Sequence, residues 1–451
     1  VNSQDVLDAC RERQVELVRF IYCDFTGAHR GKMTTVDDLG NRLRHGINLT
    51  RAQMSFTLLD TVADVRGMEP VGELRMMPDP ETFAVLPWRP SHAMMSADLC
   101  EPDGGRYGAC TRTWLKDMIA AAAERGLRVK AAFEPEFYLG VKNPDTGQWE
   151  PADQTGIYAE TGFELQGSFL TDMTRALRAM GMLPEMVYHE GGPAQQEVSI
   201  RYADALRAAD NQMKVRSAAR GVALQQGLYA SFAPKPFPWT FGSGAHVHLS
   251  LWDAADNRNL MYDPGAEASF SQLGRCFVGG ILQHLGAMVA LTCSSYNSYR
   301  RLQPRSWSTA YACWGYDNRQ AAVRAASSFR TREAETANIE IKAVDGSANP
   351  YLALGAIIAA GLDGLDHETA PGEPLPIDPS DLSDAERAER GIRAVPSSLR
   401  AAVAELGDDA LYRRLLPDLM WRGFQAVKLA ECDGFDAHDE AYEIDRHFYA
   451  F

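Results

Sequence analysis

The chain has no Cys-x-x-Cys pair, no Walker-type phosphate loop and no kinase-type glycine-rich loop. Its eight cysteines are scattered, Cys23, Cys110, Cys293 and Cys432 among them. That scatter excludes a paired zinc or dithiol motif and reads as reduced core thiols. No stretch approaches the about 18 consecutive apolar residues expected of a membrane span. An excess of basic residues is also missing: 45 Lys and Arg face 60 Asp and Glu, for a net charge of −15. This balance sets aside nucleic acid and membrane as partners. A locally basic nucleotide site is still compatible with it. There is no internal repeat and no low-complexity tract. The polar segment Val1–Glu16 lacks a basic stretch followed by an apolar run, so no secretory signal is expected and the expected location is cytoplasmic.

What is present suffices for a sizeable core: 451 residues, 45% of them apolar. Residues 1–105 read as a small N-terminal unit, ended by prolines at 78–80 and 87–90, and residues 106–451 as the larger one. Val15–Cys23 reads as a strand, with Asp24–Lys32 as a polar turn after it. Helical spacing covers Cys110–Arg125, with Gly126 as its stop, Thr171–Met180, Tyr202–Val222 and Asn349–Leu365. Val129–Leu139, Glu197–Arg201, His246–Trp252 and Ile339–Val344 read as strands. Residues 366–395 read as an exposed loop and 396–451 as helical.

The informative pattern is period-two placement of ligand-type residues. Glu134 and Glu136 alternate with Phe133, Pro135 and Phe137. Glu197 alternates with Val198, and His246 and His248 alternate with Val247 and Leu249. Glu340 and Lys342 alternate with Ile339 and Ile341. A solvated sheet face would carry Lys, Thr, Arg and Gln, whereas these faces carry carboxylate and imidazole. Such donors suit Mg²⁺ or Mn²⁺, and crowded carboxylates need a cation to coexist. A second pattern is the run of arginines Arg300, Arg301, Arg305, Arg319, Arg324, Arg330 and Arg332. Guanidinium forks clamp carboxylates and phosphates. Together the two patterns point to phosphoryl transfer.

Six segments, in this order, resemble the glutamine synthetase family: FEPEF (133–137), HEGGPAQQE (189–197), KPFPWTFGSGAHVHLSLW (235–252), NSYRRLQP (297–304), DNRQAAVR (317–324) and IEIKAVDGSANPY (339–351). The resemblance implies an α+β fold, with an N-terminal β-grasp domain and a catalytic domain whose curved antiparallel sheet forms a bifunnel-shaped site. It implies a ring-type homo-oligomer, usually two stacked hexamers forming a dodecamer, in which Asp24 of one subunit reaches into the neighbouring site. It implies two or more Mg²⁺ or Mn²⁺ ions per site and ATP as cosubstrate. One ion would lie on Glu136, Glu190 and Glu197, another on Glu134, His246 and Glu340. His248 and Arg324 would lie at the nucleotide phosphates, and Arg319 and Arg324 at the transferred phosphoryl group. Arg301 would hold the α-carboxylate of glutamate, and the backbone of Gly242 would line that subsite.

The chain departs from this family at the amine and amino-acid subsites. Trp307 stands where a glutamate ordinarily helps to bind ammonium and take its proton. Lys342 replaces an arginine that grips the substrate, and Phe241 replaces an asparagine. An indole offers an apolar wall or a π face, not a base. The expected activity is therefore ATP-dependent joining of glutamate to an organic amine through a γ-glutamyl phosphate. The alternatives are glutamine synthesis from ammonia, and an inactive structural or regulatory relative. The complete set of ligand-type residues disfavours the inactive relative. Residues 366–395 contain no tyrosine, so regulation by adenylylation there is not expected.

Overall fold

The structure, a computed structural model, describes residues 1–451. Alternating apolar residues build the N-terminal sheet from β1 (Leu17–Cys23), β2 (His29–Thr35), β3 (Ile47–Thr50), β4 (Glu73–Pro78), β5 (Ala84–Val85) and β6 (His92–Cys100). The main path runs β2-β1-β6-β4-β3. β1 and β2 form an antiparallel hairpin, and β1 lies parallel to β6. Helices Ser3–Glu12 and Val36–His45 accompany it. The expected polar turn is shorter than predicted, because His29 to Lys32 already belong to β2.

The second sheet is ten-stranded and curved. Its long central strand is β7 (Leu127–Lys142), flanked by β8 (Trp149–Pro151), β9 (Pro184–His189), β10 (Gln195–Ile200), β11 (Ala203–Asp204) and β12 (Tyr229–Ser231). The other side is β13 (Ala245–Asp253), β14 (Trp314–Tyr316), β15 (Val323–Ala326) and β16 (Asn338–Ile341). The order is β14-β15-β16-β13-β7-β10-β9. The sheet is antiparallel except at its edge, where β14 and β15 run parallel.

Behind this sheet lies an apolar helical layer. Helix Gln272–Thr292 packs along helix Pro350–Asp366 with their backbones nearly touching: a Cβ on Gly280 would come 2.1 Å from the Ala360 carbonyl oxygen. Gln272–Thr292 is long and apolar enough by composition to cross a membrane, yet most of it is buried in the core. Its scattered Gly, Gln and His residues interrupt any continuous apolar run, which is why no span was expected. Residues 366–395, expected as loop, contain a short helix, Asp384–Glu389, started by a capping box of Ser383 and Glu386.

The two units are joined by buried polar contacts. The Arg112 guanidinium, 2% exposed, donates to Asp79 and Asp98 of the N-terminal unit and to Asp210 on helix Ala205–Gln225. Asn349 donates to the carbonyls of Cys23 and Asp24, anchoring the turn that follows β1.

Candidate active site

Strand register assembles the polar side chains into rows. Glu136 on β7 stands opposite Glu197 on β10, and Glu134 opposite His246 on β13. His248 stands opposite Glu340 on β16, which in turn faces Arg324 on β15. Alternation along each strand sends Phe133, Phe137, Val247, Leu249, Ile339 and Ile341 into the core behind the sheet. The acidic residues therefore share the opposite face and form the floor of a cleft of about 700 Å³.

Of the expected site residues, Glu134, Glu136, Glu190, Glu197, His246, Glu340, Gly242, Arg301, Trp307, Arg319 and Lys342 line this cleft. Arg324 and His248 are outside the lining but contact carboxylates that belong to it. Arg324 Nε donates to Glu340, and His248 Nε2 is 3.1 Å from Glu134 Oε2. Asp24 is elsewhere in its own chain. It is fully buried, with Oδ1 accepting from the Thr26 and Ala28 amides and Oδ2 from Arg30 Nε at 2.8 Å. Four expected anion-binding arginines, Arg300, Arg305, Arg330 and Arg332, are also outside the cleft. Arg300 pairs with Glu440 and Glu443, Arg305 with Asp381, and Arg332 with Glu335. Residues adjacent in sequence part here because the short helix Ser298–Arg301 turns Arg301 inward and Arg300 toward the C-terminal helix.

The acidic floor has two halves with different electrostatics. In one half Glu136, Glu190 and Glu197 make no salt bridge to Lys or Arg; the His246 imidazole lies 3.9 Å from Glu136. Burial first, then the Glu136 charge, pushes Glu190 up to about 7. Burial, together with the charges of Glu134 and Glu136, holds Glu197 well above the usual carboxylate range. Tyr188 donates its hydroxyl to Glu197, and Gln195 and the Gly244 amide donate to Glu136. Three carboxylates lining one half of the cleft without a salt bridge to Lys or Arg are a hard-oxygen donor set of the kind that suits Mg²⁺ or Mn²⁺.

The other half is compensated. The nearest grouping of ligand atoms is Glu134, His248 and Glu340, all within 4.8 Å of one another. His246, the histidine expected at this ion, lies alongside with Nδ1 3.1 Å from Glu340 Oε1. Burial opposes the Glu340 charge, yet Lys342, His246 and His248 outweigh it and hold the carboxyl well below its usual range. Glu134 is likewise desolvated, but His248 brings it down to about 2. Burial disfavours protonation of His248, and Glu134 overrides this and raises it to about 9. Burial and the Lys342 charge lower His246. Two carboxylates and an imidazole at this spacing also fit a divalent cation.

Beside the floor, Arg301 is 4% exposed. Its Nη2 donates to the Lys342 carbonyl at 3.2 Å and lies 3.1 Å from His246 Nε2, while Nη1 has no partner. An unpartnered buried guanidinium nitrogen is a ready donor for a carboxylate. A Cβ on Gly242 would come 2.8 Å from Arg301 Cγ, so only glycine leaves room there.

Phe241, Gln195, Ile157, Tyr158, Tyr188, Gly191, Ser306 and Ser308 complete the lining, and of these only Phe241 is singled out by the sequence. Tyr188, two residues before Glu190, and Gln195, two before Glu197 on β10, had a usable signal in the alternation. The remainder lie in loops, whose direction no periodicity reports.

Residues 1–107 match the family described as glutamine synthetase N-terminal domain, and residues 108–447 match glutamine synthetase, catalytic domain. The chain is similar to a glutamine synthetase of Methanosarcina mazei, 31% identical over 99% of this chain and 97% of that one. It is similar to the gamma-glutamylpolyamine synthetase GlnA3 of Streptomyces coelicolor, 33% identical over 93% and 90%. Among solved structures it resembles a GmaS/ADP complex with a TM-score of 0.83 and 28% identity, over 97% of this chain and 98% of that one. The chain belongs to the glutamine synthetase family. It is an ATP-dependent ligase, as the members of that family are.

Proposed function

We propose that the protein joins the side-chain carboxylate of glutamate to an organic amine through a γ-glutamyl phosphate. The observation that carries this reading is Trp307. It lines the cleft on a turn with φ +58°, a region that costs bulky residues energy. Both flanking serines tie the turn to Arg301: Ser306 and Ser308 donate to its carbonyl at 3.1 and 2.6 Å. An indole held this way supplies no base and no negative charge for ammonium, but it does supply apolar surface. Relatives named for γ-glutamylpolyamine formation and for GmaS support the same direction.

In this reading Glu136, Glu190 and Glu197 hold one divalent cation. Glu134, Glu340 and His246 or His248 hold the other. Bound there, such cations supply positive charge against phosphoryl oxygens. Arg301 Nη1 takes the α-carboxylate, with Gly242 leaving space for the approach and Lys342 adding charge from the strand beside it. The glutamate side-chain oxygen attacks the γ-phosphorus of ATP, the P–O bond to ADP breaks, and an acyl phosphate forms. Arg319 and Arg324 stabilise the charge on the phosphoryl oxygens in flight. The amine nitrogen then attacks the acyl carbon, the C–O bond to phosphate breaks, and the amine gives up a proton. Trp307 and Phe241 bring apolar surface to the same cleft, which limits the water that would otherwise hydrolyse the intermediate. The chain is further read as acting in the cytoplasm and as a ring-type homo-oligomer, as the family resemblance implies.

Phosphate release from ATP, with Mg²⁺ and glutamate present, tests this across ammonia, methylamine, isopropylamine, ethanolamine, putrescine and aniline. A wide margin for an organic amine, with a γ-glutamylamide of the right mass, is the expected result. A margin for ammonia would instead favour glutamine synthesis, the activity for which the Methanosarcina mazei relative is named.

A further inference from the structure

We infer that the amine substrate is a monoamine with an apolar alkyl or aryl body, and that a diamine or polyamine is a poor substrate. The inference rests on the organic-amine reading above and deepens it. Its basis is the division of charge within the cleft. All five lining carboxylates belong to the floor, Glu134, Glu136, Glu197 and Glu340 on strands and Glu190 just past the end of β9. The wall is Ile157, Tyr158, Phe241 and Trp307, with no acidic residue among the groups that line it. Tyr158 alone touches charge: its hydroxyl donates to Glu190 of the floor at 3.4 Å, and Arg319 lines the same cleft. A second ammonium on a substrate would have to leave water against Ile157, Phe241 and Trp307, none of which carries a carboxylate to receive it. Aromatic faces attract cations, but Arg319 lines the same cleft with like charge. A methyl or phenyl terminus gains from the same contact.

The wall is fixed in place, which is what selectivity requires. The Phe241 carbonyl accepts from the Tyr138 hydroxyl at 2.7 Å. Its ring lies against Gly191, where a Cβ would come within 3.1 Å of ring carbons. Trp307 is held by the serine-tethered turn described above.

The test is a matched pair, n-pentylamine and putrescine, which have the same length and differ by a terminal methyl in place of a terminal ammonium. With ATP, Mg²⁺ and glutamate, kcat/KM for pentylamine is expected to exceed that for putrescine by about tenfold or more, and to exceed that for methylamine. Phe241→Asp, which puts a carboxylate on the wall, is expected to shrink or invert the pentylamine-to-putrescine ratio. That ratio is insensitive to a general loss of folded enzyme. Putrescine matching or beating pentylamine, with both above ammonia, would overturn this inference and leave the organic-amine reading standing. Ammonia exceeding both would overturn the two together. A ratio unmoved by Phe241→Asp would overturn the assignment to this wall.

Discussion

The floor and the wall of the cleft are built by different means. The floor is five carboxylates and two imidazoles on or next to paired strands, where backbone register sets which side chain faces which. The wall is carried by loops around residues 157–158, 241 and 305–308, held by single hydrogen bonds and one glycine contact. A strand-borne group cannot move without disturbing its ladder, so the floor suits chemistry that tolerates no displacement. A loop can exchange one side chain for another at little cost to the sheet, so the wall is where substrate choice can change.

This contrast can be broken at the floor first. Glu197→Ala should remove one divalent cation per site, counted by elemental analysis, and lower turnover by more than the about 10–100-fold typical of losing an outer partner of a metal ligand. An unchanged metal count would place the cation elsewhere. The same count on His246→Ala and His248→Ala separately decides which imidazole serves the second ion. Arg324→Ala should lower kcat on the order of 10²–10³-fold while the KM for ATP changes little, if the guanidinium acts on the phosphoryl group in transit. A large rise in KM alone would make it a ground-state binder.

Changes to the wall should be smaller and selective. Trp307→Glu should raise the use of ammonia relative to an alkylamine by about tenfold, equivalent to about 1.4 kcal/mol, with ATP affinity and metal content unaltered. Gly191→Ala should push the Phe241 ring aside and change the KM for the amine by a few fold, leaving the KM for glutamate in place. Equal effects on both substrates would mean that floor and wall are not separable.

The smallest expected effect lies behind the floor and concerns stability alone. His284 on helix Gln272–Thr292 sits between Asp409, 2.7 Å from Nδ1, and Asp363, 3.2 Å from Nε2. Burial works against its charge, but the two carboxylates win and its pKa is raised. A raised histidine contributes stability that is complete below its unfolded value of about 6.5 and is lost as pH rises through the folded value. His284→Gln should therefore lower the melting temperature more at pH 6 than at pH 9.

Period-two alternation made the floor legible in the sequence, because a buried sheet face leaves few reasons for Glu134, Glu136, Glu197 and Glu340 to alternate with Phe, Val and Ile. Strand pairing was not legible. That Glu340 stands opposite both His248 and Arg324 follows from register between strands far apart in sequence, and it brings His248 to Glu134 as closely as His246 is brought to Glu340. The arginine run was legible only as a group: Arg301 and Arg319 line the cleft, whereas Arg300 and Arg305 are taken up by carboxylates on other elements and Arg332 by Glu335 three residues on. Ile157 and Tyr158 carried no local signal, since their place depends on how a loop returns across the sheet. The helix at 384–389 was hidden by the prolines and acidic residues around it, although its capping box was present in the sequence.

The most direct measurement is a competition in one vessel. The enzyme is given ATP, Mg²⁺ and glutamate with equal concentrations of ammonium and n-pentylamine, and the products are weighed by mass spectrometry. The account predicts that γ-glutamylpentylamide forms in large excess over glutamine. Glutamine as the main product would contradict it, and would mean that Trp307 stands at the amine subsite without deciding what enters.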